Sequence, residues 1–141
     1  MAGIFRRLSV CFTAGTVGGL ANAIFVWLAG AYGLSALLGV KIAPAWTPPW
    51  LYQKLVWGGL WGLLFLLPVL RGSVVLRGLL FGLGPSLVQL LFVFPEIAGK
   101  GMFGLQLGLL TPVFVLVANW VWGVIAAWWV RRAAEKQTCG P

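Results

Sequence analysis

Leu105 to Val130 reads LQLGLLTPVFVLVANWVWGVIAAWWV, a run of 26 residues without a charge that stops at Arg131-Arg132. As one helix it would reach about 39 Å, against roughly 30 Å of bilayer hydrocarbon. This stretch decides the fold: it predicts a transmembrane helix, with the remaining chain packed around it. The composition agrees. The chain of 141 residues is 61% hydrophobic and 9% charged, with a mean hydropathy of +1.00. Soluble domains carry about 25% charged residues. A chain this short cannot hide so much apolar surface from water, so an integral membrane protein is expected. Twenty glycines and nine tryptophans fit that class. Glycine lets helices approach closely in lipid, and tryptophan favours the headgroup region.

Working outward, three further apolar runs appear. Leu8 to Val40 is uncharged and follows Arg6-Arg7. It is more than twice the length of a signal-peptide core, so Leu8–Ala31 is expected as a retained first helix. A twin-arginine signal and a lipidation site at Cys11 are both set aside, because Val10 is bulky and no apolar segment precedes the cysteine. Leu55–Leu70 is a second run, extended to about residue 52 by Lys54 snorkelling and the preceding turn. Gly78–Pro95 is a third, with Pro85 near its middle, where a kink is expected. The expected helices cover about residues 8–31, 52–70, 76–94 and 105–130. Together they make one all-α, polytopic membrane domain, a four-helix bundle over residues 1–141, with 131–141 a short cytoplasmic tail. Between the first two helices, KIAPAWTPPWLYQK is read as a loop, since Pro44, Pro48 and Pro49 oppose regular helix. Its Trp46, Trp50 and Tyr52 would sit at the membrane–water boundary. Arg71–Arg77 is read as a tight helical hairpin.

Charge sets orientation. Arg6, Arg7, Arg71, Arg77, Arg131, Arg132 and Lys136 fall on one side, and Lys41, Lys54 and Lys100 on the other; together they are all ten basic residues. The positive-inside rule then places both termini in the cytoplasm of a bacterial inner membrane protein. The net charge of +8 is spread singly and in pairs between apolar runs. It forms no basic stripe, which argues against nucleic acid as a partner.

Each run carries a small-xxx-small pair: Gly15 and Gly19, Gly58 and Gly62, Gly78 and Gly82, Gly104 and Gly108. Such pairs groove a helix for close backbone packing, within the bundle or between copies. Three amides fall at similar depth. Counted from the flanking arginines, Asn22, Gln89 and Asn119 lie about 22, 18 and 18 Å in. Thr16 and Ser86 lie about 13–14 Å in, and the second helix offers only Trp57 and Trp61. Unpartnered amides in hydrocarbon are costly, so Asn22, Ser86, Gln89 and Asn119 should face inward, as glue or as the lining of a path.

Chemistry is narrowed by exclusion. There is no Asp and no His, and the two acids are Glu96 and Glu135. No titratable group is expected inside a span, which disfavours proton-coupled exchange. The small multidrug exporters rely on a carboxylate in the first helix, and this first helix has none. The fluoride channels share four short helices, but their dual topology needs little charge bias, unlike the bias here. Cys11 and Cys139 match no metal or redox spacing. No catalytic residue, cofactor or metal is expected. The chain reads as a non-catalytic accessory or assembly subunit, or a self-associating bundle, whose partners are the lipid bilayer and other membrane helices or itself. The alternative is a passive channel or small-solute carrier.

Overall fold

The computed structural model describes residues 1–138, and they are all-helical with no strand among them. Helix α1 (Ala2–Ala31) is followed by a single turn, α2 (Leu34–Leu37). Helix α3 (Pro48–Gly62) tightens into a 3-10 turn over Leu63–Leu66. Helix α4 (Val74–Val88) widens into a π-helical segment, Gln89–Ile97. A 3-10 turn over Met102–Leu107 leads to α5 (Thr111–Thr138). Three stretches are long and apolar enough to cross a membrane: Ala2–Ala31, Val74–Ile97 and Thr111–Lys136. That fits an integral membrane protein.

Local chemistry moves several boundaries from where the sequence alone placed them. Helix α1 begins at Ala2 rather than Leu8, so Arg6 and Arg7 ride exposed on its first turns. Pro48 and Pro49 do not hold α3 off; they open it, after Thr47 in extended conformation (φ −121°, ψ 148°). A first-turn N–H has no intrahelical acceptor, so proline loses nothing there. At the other end Leu67 is extended (φ −68°, ψ 131°), as a residue before proline prefers. The Ser73 hydroxyl accepts from Leu76 N at 3.2 Å and caps α4. Arg77 is therefore inside α4, not in the connecting turn.

Pro85 is carried within α4, and the change of helix type comes four residues later at Gln89. The last helix begins at Thr111, six residues later than Leu105. Phe103, Gly104 and Gly108 all have positive φ (59°, 68° and 141°), and such a backbone cannot continue a right-handed helix. Gly104 and Gly108 therefore do not form a helical packing pair: Gly104 packs on Phe94 and Thr111, and Gly108 on the Gly39 carbonyl. Beyond Val130 the chain continues as helix to Thr138, so the expected tail is largely α5. Arg131 Nε lies 3.1 Å from Glu135 Oε1, one turn on, with both side chains exposed.

Helix α1 packs against α3 and α5, and α5 packs against α4. The glycines set these distances. A Cβ on Gly58 would lie 2.6 Å from the Gly15 carbonyl oxygen and 2.9 Å from Gly19 Cα. On Gly62 it would lie 2.7 Å from Gly15 Cα. On the other side, a Cβ on Gly78 would meet Val124 Cα at 2.5 Å, and on Gly82 the Asn119 carbonyl at 2.8 Å. Two apolar clusters fill the interior. One joins Cys11, Ala14, Phe65, Phe81, Trp122 and Ala126, with Phe65 edge-on to Phe81 at 4.9 Å between ring centres. The other joins Val26, Ala29, Val40, Phe114 and Ala118. The Lys41 N–H donates to the Leu107 carbonyl at 2.7 Å, tying the two long connections together at one end of the rods.

Candidate functional site

The interior polar groups lie between these two clusters. Asn22 on α1 donates from Nδ2 to the Ala118 carbonyl at 2.8 Å and to Asn119 Oδ1 at 3.4 Å. Asn119 on α5 donates from Nδ2 to Ser86 Oγ at 3.1 Å. The Ser86 hydroxyl in turn donates to the Gly82 carbonyl at 2.7 Å, within α4. The remaining amide oxygen of Asn22 accepts from Lys54 Nζ at 3.0 Å. One hydrogen-bonded chain thus crosses from α3 to α4 through α1 and α5. Lysine can only donate, and the Ala118 and Gly82 carbonyls can only accept. These ends fix which way both amides point.

Of the sequence-expected residues, Asn22, Ser86 and Asn119 are brought together and all three are buried. Gln89 is not in the chain. It stands at the start of the π-helical segment and lines a cavity with Asn22 and Lys54. Thr16 donates to the Phe12 carbonyl of its own helix at 3.0 Å and takes no part. The second helix does contribute a polar group after all, and it is charged. Lys54 was placed in the water-facing loop by the sequence reading, but its amine turns inward. Residues 54, 58 and 62 are spaced four apart, so Lys54 extends the Gly58/Gly62 face that meets α1. That register was the available signal.

The cavity beside this amine is half-enclosed and measures about 160 Å³. Its polar lining is Asn22, Lys54 and Gln89, and its walls include Trp50, Phe94 and Phe114. Ile42 and Pro44 from the connection before α3 form part of its rim. The Trp50 ring lies 5.8 Å from Lys54 Nζ and belongs to an edge-to-face row with Trp46 and Trp27, at 5.9 and 5.6 Å between centres. The volume matches cavities that hold one benzene-sized molecule.

A second inward cation lies at the other end. Arg77 is buried, and its Nη2 donates to the Phe65 and Leu67 carbonyls at 2.7 and 3.1 Å. Its guanidinium carbon sits 5.2 Å from the Phe65 ring centre and 5.7 Å from that of Phe81. These carbonyls end the 3-10 turn after α3, where acceptors have no helical partner. Arginine supplies a donor to Phe65 and a second one to Leu67, which also accepts from the Val69 N–H at 2.9 Å, and two aromatic faces answer its charge. Among the described residues no cluster of His, Cys, Asp and Glu could hold a metal; Cys11 is buried and Cys139 lies outside them. No protein-family model, curated protein or solved structure matches the chain.

Proposed function

We propose that the protein is a non-catalytic, four-span membrane protein that works by helix contact, as an accessory or assembly subunit or by associating with itself. Pro48–Leu66 is the fourth span, shorter than the others and braced by α1 along the Gly15–Gly58 contact. The observation that carries this reading is the saturated chain from Asn22 through Asn119 to Ser86. Its groups are buried and spend their hydrogen bonds on one another, on backbone carbonyls and on the Lys54 amine, as interhelical glue does. The basic ends of α1 and α5 and the α3–α4 turn share one end of the rods, which the positive-inside rule puts in the cytoplasm of a bacterial inner membrane. The outward faces carry large apolar side chains such as Leu20, Ile24, Leu87 and Val113, suited to lipid or to a neighbouring helix.

A second reading, a small-solute carrier, is favoured by one observation: the cavity gathers Asn22, Gln89 and Lys54. Flux measured in proteoliposomes for chloride, acetate and phosphate separates the two. The contact reading expects flux no higher than in empty vesicles, with energy transfer between labelled copies, or with added membrane partners, persisting on lipid dilution. Protein-dependent flux that vanishes in an inserted Asn119→Leu variant would overturn it.

A further inference from the structure

Among the described residues the charge on Lys54 has no partner of opposite sign. The chain has only two acidic residues. Glu135 is paired with Arg131 and Arg132 on the last turns of α5, at the far end of the rods. Glu96 is exposed at the end of the π-helical segment and makes no ion pair among the described residues. The Lys54 amine has three donors, and among the described residues one of them reaches an acceptor, Asn22 Oδ1. Arg77 makes the contrast plain. It is equally without a carboxylate, yet two carbonyls and two aromatic faces answer it. Lys54 has the Asn22 oxygen and the Trp50 ring, and otherwise faces a cavity.

An inward ammonium without a counter-charge is expensive in a membrane protein. It could have snorkelled to water, since it lies six residues inside α3, about 9 Å along the axis. Its amine is turned to the interior and fixed there by Asn22. The cavity has room for a small polar head, an amide donor at Gln89, and a wall of Trp50, Phe94 and Phe114 along which an apolar chain can lie. We propose that this cavity is an oxyanion site: it takes one phosphate or carboxylate group, whose charge is met by Lys54. The same chemistry is offered by the head of an anionic amphiphile and by a free anion. This inference goes beyond the contact reading and does not depend on it, since binding without transport is compatible with either mode of action.

The test uses the full chain in an uncharged detergent, followed by native mass spectrometry and thermal unfolding. Dodecanoate is compared with dodecanol, phosphatidylglycerol with phosphatidylcholine, and inorganic phosphate is titrated alone. The expected result is one dodecanoate or phosphatidylglycerol per chain with a raised Tm, and no such effect of dodecanol or phosphatidylcholine. In Lys54→Gln the anion should bind about tenfold to hundredfold more weakly, the loss of one charge-assisted bond. Lys54→Arg should retain binding, and so should Lys41→Gln, which removes an exposed lysine from the same end. Stabilisation by inorganic phosphate, lost in Lys54→Gln, identifies a free anion as the ligand; its absence beside dodecanoate binding identifies an amphiphile head. Equal binding of dodecanoate and dodecanol to the unaltered protein overturns the proposal. So does anion binding that survives Lys54→Gln. The first comparison needs no variant, so it decides even where Lys54→Gln does not fold.

Discussion

Arg77 reaches from the first turn of α4 to the Phe65 carbonyl, a 2.7 Å hydrogen bond that closes the end of a neighbouring helix. The same nitrogen also serves Leu67. Replacing it leaves the Phe65 carbonyl without this donor, while Leu67 keeps the Val69 N–H at 2.9 Å, and it unstacks a cation from Phe65 and Phe81. Arg77→Met should therefore lower stability by about 2–3 kcal/mol, the range for hydrogen bonds to a charged group. Arg77→Lys should recover part of that, because an ammonium lacks the planar fork and its ring stacking. Unfolding by sodium dodecyl sulfate from mixed micelles measures both; equal midpoints for all three proteins would show that the Phe65 carbonyl does not depend on Arg77.

Composition was enough to read an all-helical membrane protein, because long uncharged runs leave a backbone no other way to satisfy its polar groups in lipid. Two kinds of feature were not legible. The first is the direction of long cations. Lys54 and Arg77 flank apolar runs, so hydropathy assigns both to loops; only register shows them inward. Residues 77, 81 and 85 are spaced four apart, as are 54, 58 and 62, and each set lies along a contact face. The second is backbone conformation at glycine. Gly104 and Gly108 match the small-xxx-small spacing, yet their positive φ values end the helix that the spacing assumed. The meeting of Asn22 with Asn119 was accessible from depth counting, whereas Gln89 lines the cavity beside Asn22 instead of joining the bonded row.

The glycines at the helix contacts and Gly3 should respond with opposite sign to the same change. Gly15→Ala sets a methyl against Gly62 Cα, which is backbone and cannot swing away. Overpacking of this kind costs about 1–3 kcal/mol or more, and Gly58→Ala and Gly78→Ala should behave alike. Gly3 has nothing within 4 Å of the added methyl and sits within α1, so Gly3→Ala should be neutral or stabilise by up to about 1 kcal/mol through helix propensity. Midpoints of thermal unfolding in one detergent rank the four variants. A destabilised Gly3→Ala, or a neutral Gly58→Ala, would contradict the packing.

The polar chain is polarised from Lys54 to Gly82, so its two asparagines should not be equivalent. In Asn119→Leu, Asn22 keeps the Ala118 carbonyl and Ser86 keeps the Gly82 carbonyl. The loss should be near the average for interhelical hydrogen bonds, about 0.6 kcal/mol. In Asn22→Leu the Lys54 amine loses the one acceptor it reaches among the described residues, and an unpaired interior cation is added to the lost bonds. Asn22→Leu should be the more damaging of the two, and Lys54→Met introduced on that background should restore part of the stability. Simple addition of the two single effects in this double-mutant cycle would show that the amine and the amide are not coupled.

The proposed fourth span is open to a direct count of sides. If Pro48–Leu66 crosses the membrane, Thr47 and Ser73 flank it on opposite faces; if it lies on one surface, they share a face. Single cysteines at the two positions, on a Cys11→Ser and Cys139→Ser background, report this through an impermeant maleimide added to intact spheroplasts. The expected pattern is outside labelling of Thr47→Cys and of Gln106→Cys, with Ser73→Cys reached only after the membrane is opened. The structure makes Gln106 a useful second marker, because the connections that hold Thr47 and Gln106 are joined by the bond from Lys41 to Leu107 and must lie on the same side. Labelling of Ser73→Cys from outside together with Thr47→Cys would overturn the four-span reading and the packing behind it, because Gly62 and Gly58 follow Gly15 and Gly19 along α1 in antiparallel order.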